Sequence, residues 1–256
     1  MSACRLALAV LLTPVLAGCT VLSRLPDGAA GEAPGAAPTD LVVLVHGMGR
    51  TPFSMLPMER HLERAGYRVL NFGYSSVGPD VATIGHRLAE ATDAALGDVP
   101  SGRVHFVGHS LGGVVVRWVL AHERPARTGR AVLLAPPNQG SASADRWGRY
   151  VGWLLRPIRE LRTAAGSTVR SLPSDPGVPV LVVAGARDGK VSPAEAHLDG
   201  AEAEVVVPSG HTFILMRPAV MRLVERYLGG ELPAGPLHDG DRRDDTAPFR
   251  RPSPRR

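Results

Sequence analysis

Short apolar runs alternate with helical segments between residues 40 and 230, and this alternation limits the possible folds more than any other feature of the sequence. Near-continuous apolar runs are typical of strands that are buried on both faces of a sheet. Strands separated by helices form βαβ units with parallel pairing. The sequence therefore predicts a single doubly wound α/β domain, with about six mostly parallel strands flanked by helices. The candidate strands cover residues 41–45, 67–72, 103–108, 129–135, 178–185 and 203–208.

The composition fits a globular domain and excludes several kinds of chemistry. The chain has 256 residues, of which 44% are hydrophobic and 21% are charged, as in one ordinary globular domain. Both cysteines, Cys4 and Cys19, lie near the N-terminus, so the predicted domain has no thiol for a zinc site, a redox pair or a nucleophile. The net charge is +5, but no dense basic stripe with interleaved aromatic residues is present, so we expect no nucleic-acid binding.

The N-terminal segment predicts export. The apolar run over residues 6–18 is shorter than the roughly 20 residues of a transmembrane helix, so residues 1–18 are interpreted as a signal peptide. The run ends in Leu-Ala-Gly-Cys, which resembles the cleavage box of bacterial lipoproteins. That resemblance implies cleavage before Cys19, lipidation of its thiol and anchoring in the cell envelope, on the outer membrane where the cell has one. Plain secretion with an incidental cysteine is the alternative.

Two segments of low complexity flank the predicted domain, which spans residues 40–230. Residues 19–39 begin with the candidate lipidated cysteine and continue as a flexible tether rich in Ala, Gly and Pro. Residues 231–256 carry five prolines and a run of mixed charge that is rich in Arg. We expect this second segment to be a disordered, solvated tail, with contact to anionic envelope surfaces as the alternative.

The motif Gly-His-Ser-Leu-Gly-Gly, residues 108–113, marks a candidate nucleophile, Ser110. It follows the strand Val-His-Phe-Val and opens a helical segment, which is the strand–turn–helix setting of a nucleophile elbow. The flanking glycines remove side chains that would clash in so sharp a turn. The helix N-terminus would direct free N–H groups toward developing negative charge. The alternative is a glycine-rich turn with a capping serine.

A second glycine-rich turn, residues 46–49, leaves the first candidate strand. In acyl transfer the oxyanion needs two converging N–H donors. We predict that these are the backbone N–H groups of Met48 and Leu111. His46 is interpreted as a buried structural histidine that holds the turn, rather than as the catalytic base.

The candidate acid and base follow the last two strands. Asp188 follows the strand 178–185 and His211 follows the strand 203–208, so both lie beyond the carboxyl end of a strand. The rival carboxylates Asp175 and Asp199 precede strands, at the wrong end of the sheet. An imidazole that takes the serine proton and a carboxylate that orients it complete a Ser-His-Asp triad.

Five segments give the chain a resemblance to the α/β-hydrolase superfamily, and most closely to its small bacterial lipases and esterases. The resemblance implies hydrolysis of an ester or lipid-like substrate through an acyl-serine intermediate, without metal or organic cofactor. An acyltransferase or thioesterase would use the same intermediate, and a non-catalytic envelope-binding lipoprotein is a third alternative. The segments are VLVHGMG, FVGHSLGG, LLAPPNQGS, ARDGKV and SGHTFILMRP, within residues 41–218.

The two strands that usually precede the first strand found here have no counterpart in residues 20–39, so we expect a minimal N-terminal sheet edge.

The segment 138–172 is interpreted as an insertion that forms a lid or an acyl pocket. We predict one amphipathic helix over residues 146–161, kinked or split by Pro157. Its apolar face would either cover the pocket as a lid or pack on the core. Asn138 would lie at the pocket mouth or serve only to turn the chain. The candidate pocket residues are Asn138, Trp147, Leu154 and Ile158.

Overall fold

The computed structural model describes residues 40–97, 101–152 and 156–233. The predicted signal peptide, the tether with Cys19 and nearly all of the predicted tail lie outside the described residues. The candidate pocket residue Leu154 also lies outside them.

Six strands form one parallel sheet, in the order β2-β1-β3-β4-β5-β6. This confirms the predicted fold class, and every strand bound lies within two residues of its prediction. Within the described part of the chain, β2 forms one edge of the sheet and β6 forms the other. The strands are β1 (Leu41–Val45), β2 (Arg68–Phe72), β3 (Val104–His109), β4 (Thr128–Leu134), β5 (Val180–Gly185) and β6 (Ala203–Val207).

Helices connect the strands and cover the sheet. The described residues contain no helix that has both the length and the apolar character needed to cross a membrane. Two short 3-10 helices, Pro52–Met55 and Phe213–Met216, precede the first and the last α-helix. The α-helices are α1 (Leu56–Arg64), α2 (Val81–Gly97), α3 (Leu111–His122), α4 (Ala142–Val151), α5 (Arg156–Glu160), α6 (Thr168–Ser171), α7 (Pro193–Ala196) and α8 (Pro218–Leu228).

The packing of strand β1 explains why its sequence is apolar throughout. All five of its residues are buried. Val43 and Val45 pack in a cluster with residues of α2 and α3, whereas Val42 and Leu44 pack with residues of α1 and α8. Because successive side chains of a strand point to opposite faces, a strand covered by helices on both faces needs apolar residues at every position.

The sequence predicted a helix over residues 146–161 that is kinked or split by Pro157. The structure describes α4 and α5 in this region, and Pro157 is the second residue of α5, as a split at this proline would give. Proline has no N–H to donate within a helix but is well tolerated in the first turn, so it marks a new start. The predicted apolar face is also divided. Ile158 and Leu161 are 9% and 5% exposed and belong to the core, whereas Trp147 and Tyr150 are 57% and 66% exposed. This burial favours core packing for α5.

A buried arginine ties the two ends of the insertion to α3. The Arg117 guanidinium donates through Nη1 to the backbone and side-chain oxygens of Asn138, at 3.3 and 3.2 Å. Its Nη2 donates to the carbonyls of Leu172 and Pro173, at 3.3 and 3.0 Å. Burial, together with the charge of Arg170, lowers the pKa of Arg117 to about 10, so the group stays charged at neutral pH. Carbonyl oxygens therefore compensate this buried charge.

Arg117→Met should destabilise the fold, because it retains much of the apolar stem and removes every one of these hydrogen bonds. We expect the free energy of unfolding to fall by about 2–4 kcal/mol in urea denaturation. The matched change Arg222→Met, at an exposed position of α8, should cost no more than about 0.5 kcal/mol. Equal losses for the two variants would contradict the assigned role of Arg117.

Candidate active site

Ser110 stands alone between β3 and α3 in a backbone conformation that few residues adopt. Its φ is 54° and its ψ is −120°. A Cβ atom on Gly108 would lie 2.7 Å from the Gly112 carbonyl oxygen, and one on Gly112 would lie 2.2 Å from the Val45 carbonyl oxygen. The close approach of α3 to the ends of β1 and β3 therefore requires glycine at both positions. This is the strand–turn–helix elbow that the motif predicts.

The loops after β5 and β6 bring Asp188 and His211 to Ser110. The Ser110 hydroxyl donates to His211 Nε2 at 2.9 Å, and His211 Nδ1 donates to Asp188 Oδ2 at 2.7 Å. The carboxyl ends of parallel strands meet at one edge of a sheet, which is why residues so distant in sequence converge there. The structure thus joins the three residues predicted as a triad in one hydrogen-bonded chain.

Asp188 is held as a carboxylate. Its Oδ1 accepts the backbone N–H groups of Lys190 and Val191, at 2.8 and 2.9 Å. Burial alone would raise its pKa, but the hydrogen bond from His211 and the two N–H groups outweigh burial and hold the pKa below its ordinary value. The side chain is fully buried, so its second oxygen is directed to His211 alone. An ionised Asp188 fixes the His211 tautomer whose Nε2 can accept a proton.

The two predicted oxyanion donors flank Ser110. Leu111 is the first residue of α3, where backbone N–H groups have no acceptor within the helix. Met48 borders the same cavity as Ser110, and among the described residues no acceptor is assigned to its N–H. A Cβ atom on Gly47 would lie 3.2 Å from the Ser110 Cβ. The glycine therefore lets the turn after β1 approach the nucleophile closely.

His46 has the contacts of a structural histidine. Its buried ring stacks on the Tyr74 ring, with centroids 4.2 Å apart, and its Nδ1 bonds to the Gly47 carbonyl at 2.9 Å. The Tyr74 hydroxyl donates to the His46 carbonyl at 2.6 Å. Burial lowers the pKa of His46, so the ring is neutral. These contacts fix the turn after β1 and agree with the interpretation drawn from the sequence.

His109 is a contributor to the site that sequence analysis missed. Its ring is buried beside that of His211, with centroids 5.0 Å apart, and its Nε2 donates to the His211 carbonyl at 2.9 Å. Burial, followed by the charge of His211, lowers the pKa of His109 to about 3. The residue thus holds the His211 loop as a neutral donor. Its place next to Ser110 in the motif was the only available signal.

A cavity of about 360 Å³ opens at Ser110. The candidate pocket residues Trp147 and Ile158 border it, and Ala144, Leu161 and Val191 extend its apolar wall. Asn138, which was also predicted as a pocket residue, is not among the residues that line the cavity. Its amide donates to the Ala196 carbonyl at 2.7 Å and its oxygens accept from Arg117, so the neighbouring Pro137 lines the cavity instead.

A larger cavity, of about 840 Å³, lies at the opposite ends of the strands. Asp40, Arg103 and Arg130 border it, and the triad residues do not. Ligand sites of open α/β sheets lie at the carboxyl ends of the strands, so the cavity at Ser110 is the candidate substrate site. Among the described residues, no group of three or more His, Cys, Asp and Glu side chains is placed to hold a metal ion.

His109 should make the native state sensitive to acid. The unfolded chain protonates this histidine below about pH 6.5, whereas the native ring stays neutral down to about pH 3, so the free energy of unfolding falls as the pH falls between these values. His109→Gln retains a donor for the His211 carbonyl and removes this titration. We expect it to reduce the loss in stability between about pH 7.5 and about pH 4.5 by about 2–3 kcal/mol in urea denaturation.

The exposed His197 provides a control of opposite sign. Hydrogen bonds to Glu204 and Asp199 raise its pKa, so its stabilising effect is present at low pH and is lost as the pH rises. His197→Gln should therefore increase the loss in stability on acidification. An unchanged pH dependence in His109→Gln would contradict the assignment of a buried, neutral His109.

Part of the chain matches a known protein family. Residues 36–134 match the family described as "Putative serine esterase (DUF676)", and this segment contains the turn after β1 and the elbow at Ser110. No curated protein matches the chain.

Solved structures of hydrolases share the fold. A hydrolase from Pseudomonas aeruginosa has a TM-score of 0.57 and 24% identity, over 77% of this chain and 92% of that chain. The mature lipase of Bacillus licheniformis has a TM-score of 0.60 and 18% identity, over 79% and 96%. A monoacylglycerol lipase of Paleococcus ferrophilus has a TM-score of 0.58 and 17% identity, over 76% and 96%. Together with the sheet order, these similarities show that the chain has the α/β-hydrolase fold.

Proposed function

We propose that the protein is a serine esterase or lipase that hydrolyses carboxylic esters through an acyl-serine intermediate. The observation that carries the proposal is the continuous chain of hydrogen bonds from the Ser110 hydroxyl through His211 to Asp188. Each group has the state that nucleophilic catalysis requires: a hydroxyl that donates to an imidazole, and an imidazole oriented by a carboxylate. The family match and the hydrolase fold support the same class of reaction.

In the proposed acylation step, Ser110 Oγ attacks the ester carbonyl carbon while His211 Nε2 takes the hydroxyl proton. The carbonyl oxygen becomes an oxyanion and accepts hydrogen bonds from the backbone N–H groups of Met48 and Leu111. The imidazolium is stabilised by Asp188. When the tetrahedral intermediate collapses, the bond to the alcohol oxygen breaks and His211 returns the proton to that oxygen.

In the proposed deacylation step, water attacks the acyl carbonyl and His211 again takes the proton. Collapse of the second tetrahedral intermediate breaks the bond to Ser110 Oγ, His211 returns the proton to that oxygen, and the carboxylic acid is released. The apolar wall formed by Ala144, Trp147, Ile158 and Leu161 would accommodate the acyl chain. Its contacts with the chain would be the same before and during reaction, so they would act mainly on substrate binding.

Ser110→Ala should leave the fold intact and abolish both turnover of p-nitrophenyl esters and labelling by a fluorophosphonate probe. His211→Ala and Asp188→Asn should each reduce kcat by about 10³-fold or more, because the triad acts as a unit. The matched change Asp175→Asn should leave kcat unchanged, since this exposed carboxylate caps the Gly177 N–H before β5. Substantial turnover by Ser110→Ala, or inactivation by Asp175→Asn alone, would contradict the assigned residues.

We also propose that the protein is located in the cell envelope, and the N-terminal sequence supports this location. Lipidation of Cys19 would anchor the mature chain, since each buried CH₂ of an acyl chain contributes about 0.8 kcal/mol to membrane binding. Cys19→Ser should therefore move the protein from the membrane fraction to the soluble fraction, with the activity of the purified domain retained. Cys4→Ser, within the predicted signal peptide, is the matched control and should not change the distribution. A membrane-bound Cys19→Ser protein would contradict lipid anchoring at this residue.

A further inference from the structure

Three basic side chains lie at the mouth of the cavity at Ser110. Arg50, Arg146 and Lys190 border the cavity, and they come from the turn after β1, from α4 and from the turn after β5. Among the described residues that line the cavity, none is Asp or Glu. The nearby Asp188 is fully buried and directed to His211. The mouth therefore presents a positive potential to an approaching ligand.

These basic side chains have no carboxylate partner in the described part of the chain. The guanidinium of Arg50 donates to the Thr212 hydroxyl at 2.8 Å, and Arg146 and Lys190 are exposed without an assigned ion pair. The neighbouring Asp145 is directed away, because it accepts hydrogen bonds from Arg162 and Thr163. Some other arginines do have carboxylate partners, as in Arg130–Glu202, Arg162–Asp145 and Arg226–Glu231. The cations at the mouth are thus left available for a ligand.

The arrangement also indicates which part of an ester would carry a negative charge. The apolar residues Ala144, Ile158 and Leu161 form the wall that suits an acyl chain. Arg50 contacts Thr212, which adjoins His211, and Lys190 follows Asp188 closely in sequence. His211 is the group that would return a proton to the departing alcohol. The alcohol part of the ester would therefore face Arg50 and Lys190.

Resting on the proposed function, we propose that the substrate is an anionic ester whose negative group lies in the alcohol part and faces Arg50 and Lys190. Arg146 adds to the positive potential of the same cavity mouth. A phosphate or carboxylate near the ester bond has the required chemistry. The anion would be attracted before and during reaction, so the cations would act on kcat/KM chiefly through binding. This contribution would weaken as salt screens the exposed charges.

A matched pair of soluble esters tests the proposal. 4-Butyryloxybenzoate carries a carboxylate in its leaving group, and its methyl ester is the neutral counterpart. The ratio of their kcat/KM values should fall about 10-fold when Arg146→Gln and Lys190→Gln are combined, since each exposed cation at a few ångströms contributes roughly 3-fold. Because intrinsic reactivity is the same for every variant, it cancels when the ratios of two variants are compared. The ratio for the unchanged protein should also fall as salt is added.

The control variant combines Arg87→Gln with Arg222→Gln, which changes net charge equally at exposed positions on α2 and α8 away from the cavity. This control variant should have the same ratio of kcat/KM values for the two esters as the unchanged protein. Melting temperatures should show that both double variants are folded. Equal ratios for the two double variants would overturn the proposal. Failure of the unchanged protein to hydrolyse either ester would instead count against the proposed esterase function.

A second arm distinguishes the two sources of the anion. Fatty-acid release is measured from vesicles of anionic phosphatidylglycerol and of zwitterionic phosphatidylcholine, in which the choline cation compensates the charge of the phosphate. Faster release from phosphatidylglycerol, lost in Arg146→Gln with Lys190→Gln, supports a lipid headgroup as the anion. Charge discrimination between the soluble esters without release from either vesicle supports a soluble anionic ester. Faster release from phosphatidylcholine, together with no discrimination between the soluble esters, would overturn the proposal.

Discussion

The site depends on one close packing contact, in which the start of α3 meets the carboxyl ends of β1 and β3. No side chain fits at Gly108 or Gly112, because an added Cβ would lie within 2.7 Å of backbone atoms. The chain reverses between strand and helix in a single residue, and Ser110 takes a positive φ that costs about 1–3 kcal/mol. Hydrogen bonds from Ser110 N–H to Leu134, and from Gly113 N–H to Ser110, both at 2.9 Å, hold it there.

Around this contact, burial and hydrogen bonding determine which groups carry charge. Asp188 is buried yet ionised, because three N–H groups donate to its two oxygens. Arg117 is buried yet charged, because carbonyl oxygens surround it. His109 is equally buried but has a single partner for its ring, and it stays neutral. A buried charge is stable where enough hydrogen bonds compensate its lost hydration, and these residues differ in the number of such hydrogen bonds.

The sequence predicted the sheet and the three hydrogen-bonded residues because both follow from local patterns and a topological rule. Apolar runs locate the strands, and residues just beyond their carboxyl ends must meet at one edge of a parallel sheet. Ser110, Asp188 and His211 satisfy that rule. The insertion was predicted less completely. The sequence predicted a helix over residues 146–161 that Pro157 kinks or splits, and Pro157 lies in the first turn of α5. The spacing of the apolar residues did not show that burial divides them between the core and solvent.

The sequence alone determined the α/β class, the strand bounds and the elbow, because each of these depends on residues that are close together in the chain. Only the tertiary structure decided that Arg117 joins Asn138 to Leu172, that His109 supports the His211 loop and that Arg50 reaches Thr212. It also decided that basic side chains from three separate segments share one cavity mouth. These contacts join residues from about 20 to more than 160 positions apart in sequence. Their geometry is set by how the loops pack on the finished sheet, and no local pattern encodes it.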